Sequence, residues 1–339
     1  MKWFSALLFW TVLGFLPACK SAQSNVPVIK NPNDLRQWIL DETIKDYERH
    51  TFGYDLKFIR QRKTPILLYD ENFKGMVLVS SDFQGRVLTS TADGLNGYSF
   101  GWLNYDLIGS GENAPHMNAF GGEDRLWLGP EGGQYSLYFK PGSEFVFDNW
   151  QVPYGFDSES FEIVSIASNE VSFFKKLNLT NYSNTPLDIA ISRQIKLVSP
   201  AAFLYGHGIQ ITDDIQSVGF ESQNIIRNTG QNEWNKSTGM PSIWVLGMFK
   251  PSPSATVVIP YKSGPEETMG KLVTDDYFGK VPADRLKMDP HVFYFKADGH
   301  QRSKIGLNTF RAKPVCGSFD EERNVLTFVE LTLPDAPGE

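Results

Sequence analysis

The feature that most constrains the fold is a succession of short apolar segments that runs from residue 65 to the end of the chain. These segments are rich in β-branched and aromatic residues, and glycine, proline, asparagine and aspartate separate them. No long helical period lies between them, so the strands are expected to pair antiparallel. The sequence therefore predicts an all-β sandwich or barrel, and the absence of a fixed repeat disfavours a propeller. The predicted strands are residues 65–69, 76–80, 86–91, 133–139, 161–167, 171–179, 187–198, 220–228, 243–249, 256–261, 291–295 and 325–333.

One clear helix is predicted, at residues 33–49, ahead of the strands. Asn33 or Asp34 would cap it, and Leu35 and Trp38 begin a short apolar stripe at helical spacing. The stripe is narrow, so this N-terminal helix is expected to pack on the outside of a sheet.

The first 18 residues have the pattern of a secretory signal peptide, with Lys2 followed by an apolar run over residues 3–15. The run is shorter than the roughly 20 residues that a membrane-spanning helix needs. It ends in a Leu-Pro-Ala-Cys tetrapeptide that resembles the lipobox of bacterial lipoproteins. This resemblance implies lipid on Cys19 and a periplasmic or outer-membrane location, with ordinary secretory cleavage as the alternative. Residues 19–32 are predicted to be a tether, and residues 33–339 a single β domain.

Composition and net charge limit the classes of partner that this protein can bind. The net charge is −7 and no long cluster of lysine and arginine is present, which argues against nucleic acid. Cys19 and Cys316 are the only cysteines, so lipid on Cys19 would leave no intramolecular disulfide. No metal or cofactor is predicted, because the five histidines are scattered. A calcium site formed by Asp124, Glu131 and backbone carbonyls is the alternative.

Residues 118–139 concentrate three carboxylates, an arginine, a tryptophan and five glycines in 22 residues. If residues 123–128 are extended, Glu123, Arg125 and Trp127 share one face of the strand. A carboxylate and a guanidinium beside an indole suit a polyhydroxylated ligand. The hypothesis is that the three side chains open together into a hollow. The alternative is an ion pair between the two charged groups, with the indole stacked on the guanidinium.

The rest of this stretch predicts a hairpin. Residues 129–133 are rich in glycine and reverse the chain, and the following residues alternate as a second strand. Glu131 would lie at the tip. Glu123 and Glu131 could then face each other as a glycosidase pair, whereas Glu123 and Asp124 point to opposite faces.

Other candidates come from single residues. His116 and His207 could act as acids or bases near neutral pH, or simply form hydrogen bonds with their surroundings. Trp150 lies in the aromatic loop 141–160 and could line a sugar site or pack in the core. Arg86 and Arg193 lie within strands, where they face a polar surface or pair with a buried carboxylate. The catalytic candidates are His116, Glu123, Glu131 and His207, and the ligand-binding candidates are Arg86, Asp124, Arg125, Trp127, Gln134, Trp150 and Arg193.

Four motifs, at residues 51–55, 84–90, 99–102 and 120–134, resemble an uncharacterised family of bacterial lipoproteins in the galactose-mutarotase-like superfamily. The last of them, Phe-Gly-Gly-Glu-Asp-Arg-Leu-Trp-Leu-Gly-Pro-Glu-Gly-Gly-Gln, is the most specific. The resemblance covers roughly residues 50–335. It implies an antiparallel β-supersandwich whose concave face binds carbohydrate.

The chain departs from the aldose 1-epimerases of that superfamily, which use a histidine acid and a glutamate base. Phe120 stands where those enzymes carry a histidine before a Gly-Gly pair, and Arg193 stands where their second histidine would fall. Their catalytic glutamate lies late in the fold, and one interpretation is that this chain ends before the closing strands. These departures argue against epimerase activity.

Two hypotheses of function remain. The first is an envelope lipoprotein that binds carbohydrate on its concave face, with isomerase or hydrolase activity left open. The second is a non-catalytic scaffold that offers its sheet surface to another envelope protein. Burial of Glu123, Arg125 and Trp127 against each other, with an exposed apolar patch elsewhere, would favour the second.

Overall fold

The computed structural model describes residues 47–212 and 214–333, which form a mainly β protein with a few short helices. The strands are β1 (Ile66–Tyr69), β2 (Met76–Ser80), β3 (Arg86–Thr91), β4 (Arg125–Gly129), β5 (Glu162–Ile166), β6 (Glu170–Thr180), β7 (Pro186–Val198), β8 (Gly219–Asn228), β9 (Ser242–Leu246), β10 (Ala255–Pro260), β11 (Leu286–Asp289), β12 (Val292–Lys296), β13 (Val315–Asp320) and β14 (Val325–Glu330). The helices are α1 (Phe52–Arg60), α2 (Tyr105–Ser110), α3 (Tyr154–Asp157), α4 (Pro200–Gly206) and α5 (Glu266–Met269). None of the described helices is long and apolar enough to cross a membrane.

The described strands form four sheets, and all strand pairs within them are antiparallel, as predicted. One sheet joins β1, β2 and β3, and β4 pairs with β9 alone. The strands β5, β6, β7 and β8 follow one another in a meander. The last five strands form the remaining sheet, in the order β11, β12, β10, β13 and β14. Every predicted strand except residues 133–139 overlaps one of these strands.

Helix α1 covers one face of the first sheet. The Thr51 side chain caps it by accepting the backbone N–H of Tyr54 at 3.4 Å. Phe52, Leu56 and Ile59 are fully buried against β2 and β3. Burying a side chain of this size stabilises a fold by roughly 1.5–3 kcal/mol, so this contact is a main source of stability for the N-terminal part.

The predicted helix at residues 33–49 does not coincide with α1. Residues 33–46 lie outside the described part of the chain, and residues 47–49 are not helical. Helix α1 was not predicted, because Gly53 interrupts its first turn. The glycine is required by packing, since a Cβ at Gly53 would lie 2.5 Å from the ring of Tyr47.

A large core joins the first sheet, the β4–β9 pair and the β5–β8 sheet. Buried residues of β6 and β7 alternate with partly or fully exposed ones over much of their length. Phe173, Ile189 and Ile191 lie in this core together with Val79 and Leu126. Every residue of β4 is buried. The alternation leaves the opposite face of the β5–β8 sheet turned away from the core.

The hairpin predicted at residues 123–139 is not formed. β4 pairs instead with β9, with Trp127 opposite Trp244. Residues 130–139 fold as turns in which the backbone N–H of Leu137 donates to the Pro130 carbonyl at 3.1 Å. These local hydrogen bonds occupy backbone groups that a second strand would need, so the prediction of a strand at 133–139 is wrong.

Candidate functional site

Two glycines bring the backbone before β4 into close contact with neighbouring segments. Gly121 and Gly122 have φ angles of 92° and 107°, a region that favours glycine. A Cβ at Gly121 would lie 2.0 Å from the carbonyl oxygen of Trp102, and one at Gly122 would lie 2.8 Å from Cδ of Arg86. These glycines therefore permit close packing of the protein on itself.

The side chains of Glu123, Arg125 and Trp127 lie in the interior, with exposed fractions of 7%, 1% and 2%. Arg125 and Trp127 share one side of β4, since the Arg125 guanidinium carbon lies 4.2 Å from the centre of the Trp127 ring. Leu126 and Leu128 on the other side are also fully buried. The hypothesis that the three residues open together into a hollow is therefore wrong.

Asp157, at the end of α3, supplies the carboxylate that pairs with Arg125. The guanidinium forms a buried ion pair with Asp157 and donates to the Asn118 carbonyl at 3.1 Å. The Asp157 carboxylate also accepts the side-chain amide of Asn118 at 2.7 Å. Burial lowers the pKa of Arg125 to about 10, with Asp157 opposing the shift. Arg125 thus stays charged at neutral pH, and its ion-pair partner is Asp157 rather than Glu123.

The Glu123 carboxylate is bound by Ser90 on β3. The backbone N–H of Ser90 donates to Oε1 at 2.5 Å, and the Ser90 hydroxyl lies 2.8 Å from Oε2. Burial raises the pKa of Glu123 to about 7, and the hydrogen bonds from Ser90 oppose the shift only in part. A substantial fraction of the carboxyl is therefore protonated at neutral pH.

This raised pKa makes stability depend on pH. Unfolded Glu123 ionises near its ordinary value of 4.5 and folded Glu123 near 7, so proton binding favours the folded state. We expect its contribution to the unfolding free energy to be complete below about pH 4.5 and to fall by up to about 3 kcal/mol as the pH rises through about 7. The Glu123→Gln variant should lack this dependence in urea titrations across that range. Parallel pH profiles for the two proteins would contradict the assignment.

Lys250 lies close to a second buried carboxylate, that of Asp55, and its charge also lowers the pKa of Glu123, which burial raises. Its ammonium donates to the Ser99 carbonyl at 2.5 Å and lies 3.9 Å from Oδ2 of Asp55. Asp55 accepts the hydroxyl hydrogens of Ser99 and Tyr105, and burial raises its pKa. These contacts tie α1 to the segment that follows β9. These contacts were not predicted, because the residues lie far apart in the chain.

Asp124 and Arg193 form a second buried ion pair. The Ser222 hydroxyl donates to Oδ2 of Asp124 at 2.7 Å, and Nε of Arg193 donates to the Gly85 carbonyl at 2.9 Å. Of the two alternatives for Arg193, pairing with a buried carboxylate is therefore the one observed. The pair links β7 and β8 to the segment before β4.

Arg86 is fully buried without a carboxylate partner among the described residues. Its guanidinium donates to the Gly121 carbonyl at 2.9 Å and to the Gln84 side chain at 3.0 Å. The guanidinium carbon lies 5.6 Å from the centre of the Phe120 ring. Burial, and to a lesser extent Arg125, holds the pKa of Arg86 well below its usual value. Carbonyl oxygens and ring faces here replace the carboxylate that a buried arginine usually has.

The remaining candidates lie in separate places. His116 Nδ1 is 2.7 Å from the Trp150 carbonyl oxygen, whereas Nε2 of the exposed His207 is 3.6 Å from Glu330. The Trp150 ring stacks on Tyr138 at 5.6 Å, which fits the packing alternative. Glu131 accepts a long hydrogen bond of 3.4 Å from the Tyr277 hydroxyl, and Gln134 is exposed. No contact of this kind joins His116, Glu123, Glu131 and His207 to one another within the described residues.

Two shallow hollows lie on the outward face of the β5–β8 sheet. Their volumes are about 410 and 300 Å³, and both are lined by Phe174. We call the smaller one the sheet-face hollow. It is lined by two rows of side chains, each of which runs across β6, β7 and β8. One row is Ser172, Gln194 and Gln223, and the other is Phe174, Ser192 and Ile225. The alternation of β6 to β8 predicted the strands, but nothing in it marked these polar residues as different from ordinary surface.

Comparison with known proteins places the chain in a family. Residues 50–339 match the family of unknown function DUF6786. The chain belongs to the DUF6786 family. The DUF6786 match includes both the buried stretch around β4 and the β5–β8 sheet. No curated protein matches the chain, and no solved structure matches it.

In the described residues of this DUF6786 chain, no group of three or more histidine, cysteine, aspartate or glutamate side chains could hold a metal ion. The carboxylates of the calcium alternative have different partners. Asp124 is bound by Arg193 and Ser222, whereas Glu131 is bound by Tyr277. These contacts give no support to a shared cation site.

Proposed function

We propose that this protein binds a carbohydrate in the sheet-face hollow. The supporting observation is that the two cross-strand rows bring four neutral hydrogen-bonding side chains beside a half-buried aromatic ring, in a hollow of about 300 Å³. That volume is at the lower end of the range of small-molecule sites. It suits a monosaccharide or disaccharide unit.

The chemistry of the hollow fits a neutral sugar. Hydroxyl and amide groups both donate and accept hydrogen bonds, as sugar hydroxyls do. The ring of Phe174 offers an apolar surface to the C–H groups of a sugar. Nε2 of Gln194 lies 3.4 Å from the Ser172 hydroxyl, a long hydrogen bond that a sugar hydroxyl could replace.

The proposal covers binding and no reaction. The residues lining the sheet-face hollow include no carboxylate, histidine or lysine. The acid and base candidates Glu123 and His116 contact Ser90 and Trp150 instead. General acid–base catalysis needs such groups within hydrogen-bond reach of the substrate.

We propose further that the sheets belong to a galactose-mutarotase-like supersandwich and that lipid on Cys19 holds the protein in the cell envelope. The motif at residues 120–134 and the lipobox-like tetrapeptide support this, although Cys19 lies outside the described residues. A mass increase of a diacylglyceryl group on the N-terminal peptide would support the anchor. An unmodified peptide from membrane-purified protein would contradict it.

Glycan-binding measurements on paired variants test the proposed site. We expect the wild type to bind a member of an array of neutral saccharides, and Phe174→Ala and Gln194→Ala each to weaken that binding about tenfold, or about 1.4 kcal/mol. The Gln231→Ala variant is a matched control, because that glutamine is exposed in the loop after β8. Titration calorimetry supplies the affinities. The proposal is wrong if no saccharide on the array binds, or if both variants of the hollow bind with the affinity of the wild type.

The scaffold hypothesis is a second candidate, favoured by a specific observation. The buried residues at β4 are accompanied by an exposed apolar strand, β5, in which Val164 and Ile166 are 64% and 57% exposed. Such a strand at a sheet edge is a typical protein contact. A photo-crosslinking residue at position 166 should then capture one envelope protein, and one at position 231 should not. Equal labelling at both positions would count against it.

A further inference from the structure

A second cluster of aromatic and charged side chains lies away from the sheet-face hollow. It consists of Trp244, Tyr277, Phe278, Arg302, Lys304 and Glu131, which we call the cation–aromatic cluster. The Lys304 ammonium lies 4.2 Å from the centre of the Tyr277 ring and 5.8 Å from the centre of the Trp244 ring. The Arg302 guanidinium carbon lies 4.0 Å from the centre of the Phe278 ring. Four distant segments of the chain therefore meet here.

The two cations in this cluster have no carboxylate partner among the described residues. Neither Arg302 nor Lys304 forms an ion pair within the residues that the structure describes, whereas Lys280 pairs with Asp275 at 2.6 Å nearby in the chain. Glu131, the carboxylate of the cluster, accepts the Tyr277 hydroxyl hydrogen. Contact with the aromatic rings holds both cations in place while leaving their N–H groups available.

The aromatic rings are also accessible. Tyr277 and Phe278 are 54% and 44% exposed, and their rings meet edge to face at 4.7 Å. The two adjacent rings form a contiguous apolar patch instead of a single scattered side chain, and contiguous apolar patches mark interaction sites.

We propose that the cation–aromatic cluster binds an acidic carbohydrate, in which uronate carboxylates contact Lys304 and Arg302 and the sugar ring lies against Tyr277 or Phe278. Guanidinium and ammonium groups form strong, charge-assisted hydrogen bonds with carboxylates. The aromatic rings provide the apolar contact that a sugar ring needs. Glu131 disfavours a densely charged ligand, since its carboxylate would repel one. The site shares no residue with the sheet-face hollow.

Titration of the full chain with a galacturonic acid trimer tests this proposal, with a neutral galactose trimer as the comparison ligand. We expect the acidic trimer to bind with weaker affinity at higher salt, and the Arg302→Gln/Lys304→Gln variant to lose at least tenfold in affinity. Lys287→Gln is the matched control, because Lys287 also lies over an aromatic ring, that of Tyr294, at 5.6 Å. It should leave the affinity unchanged.

The outcomes separate the two proposals. Gln194→Ala should not change binding of the acidic trimer, so failure of the sheet-face hollow leaves this site standing. The Lys304→Arg variant should retain most of the affinity if charge is what matters. The proposal is overturned if the wild type does not bind the acidic trimer, if the double variant binds it as tightly, or if the neutral trimer binds equally well and loses that binding in the same double variant.

Discussion

Replacing Asp157 by asparagine is expected to lower the unfolding free energy by about 3–5 kcal/mol. The variant would leave the Arg125 charge in the interior, where 1% of the side chain is exposed, without its carboxylate partner. It would also weaken the hydrogen bonds that the carboxylate accepts from Asn118. Chemical denaturation at neutral pH, compared with the wild type, measures the loss.

The control for this variant is Asp148→Asn, which changes an exposed aspartate in the same loop region and should alter stability by less than about 0.5 kcal/mol. Where Asp157→Asn is still folded, its affinity for a neutral glycan should equal that of the wild type. A loss of stability below about 1 kcal/mol would mean that Arg125 is not a buried ion-pair partner. A loss of glycan affinity without a loss of stability would mean that Arg125 belongs to the ligand-binding site.

Gly121→Ala is expected to destabilise the protein by about 2–5 kcal/mol. The φ angle of 92° is strained for any residue with a Cβ, and that Cβ would lie 2.0 Å from the Trp102 carbonyl oxygen. The Trp102 carbonyl also accepts the Gly122 backbone N–H at 2.9 Å, so it cannot move away without loss of that bond. Thermal unfolding followed by circular dichroism reports the effect.

Gly132→Ala is the matched control, because an added Cβ at Gly132 meets no atom within 4 Å. The midpoint temperature of thermal unfolding of this variant should lie close to that of the wild type. If both glycine variants unfold at the same temperature, the close contact between Gly121 and Trp102 does not exist in solution.

The strands were predictable because their pattern depends on local residues. In β6 and β7, apolar side chains alternate with polar ones, and the structure buries that apolar face. Helix α1 was not predictable in the same way. Its cap at Thr51 is recognisable, but Gly53 has a low helix propensity and is retained for contact with Tyr47.

The surroundings of β4 could not be predicted, because they come from distant parts of the chain. The alternation that places Arg125 and Trp127 on one side is local and holds in the structure. Whether that side is open depends on Asp157 and on Trp244, which packs edge to face on Trp127 at 5.4 Å. The charged residues of β4 therefore suggested a binding surface, whereas in the structure they form an interior network.

The sheet-face hollow could not be predicted either, but for a different reason. Each of its polar residues resembles ordinary strand surface when the sequence is considered alone. Only the register places Ser172 opposite Gln194, and Gln194 opposite Gln223, beside Phe174. Strand register is set by long-range pairing and turn geometry, which single residues do not report.

The most direct test is a crystal structure of the protein soaked with a saturating mixture of neutral monosaccharides, in a lattice that leaves the β5–β8 sheet open. The proposed function predicts density for a sugar ring against Phe174, within hydrogen-bond distance of Gln194. An empty sheet face, or sugar density beside Trp127 with Arg125 turned away from Asp157, would contradict it.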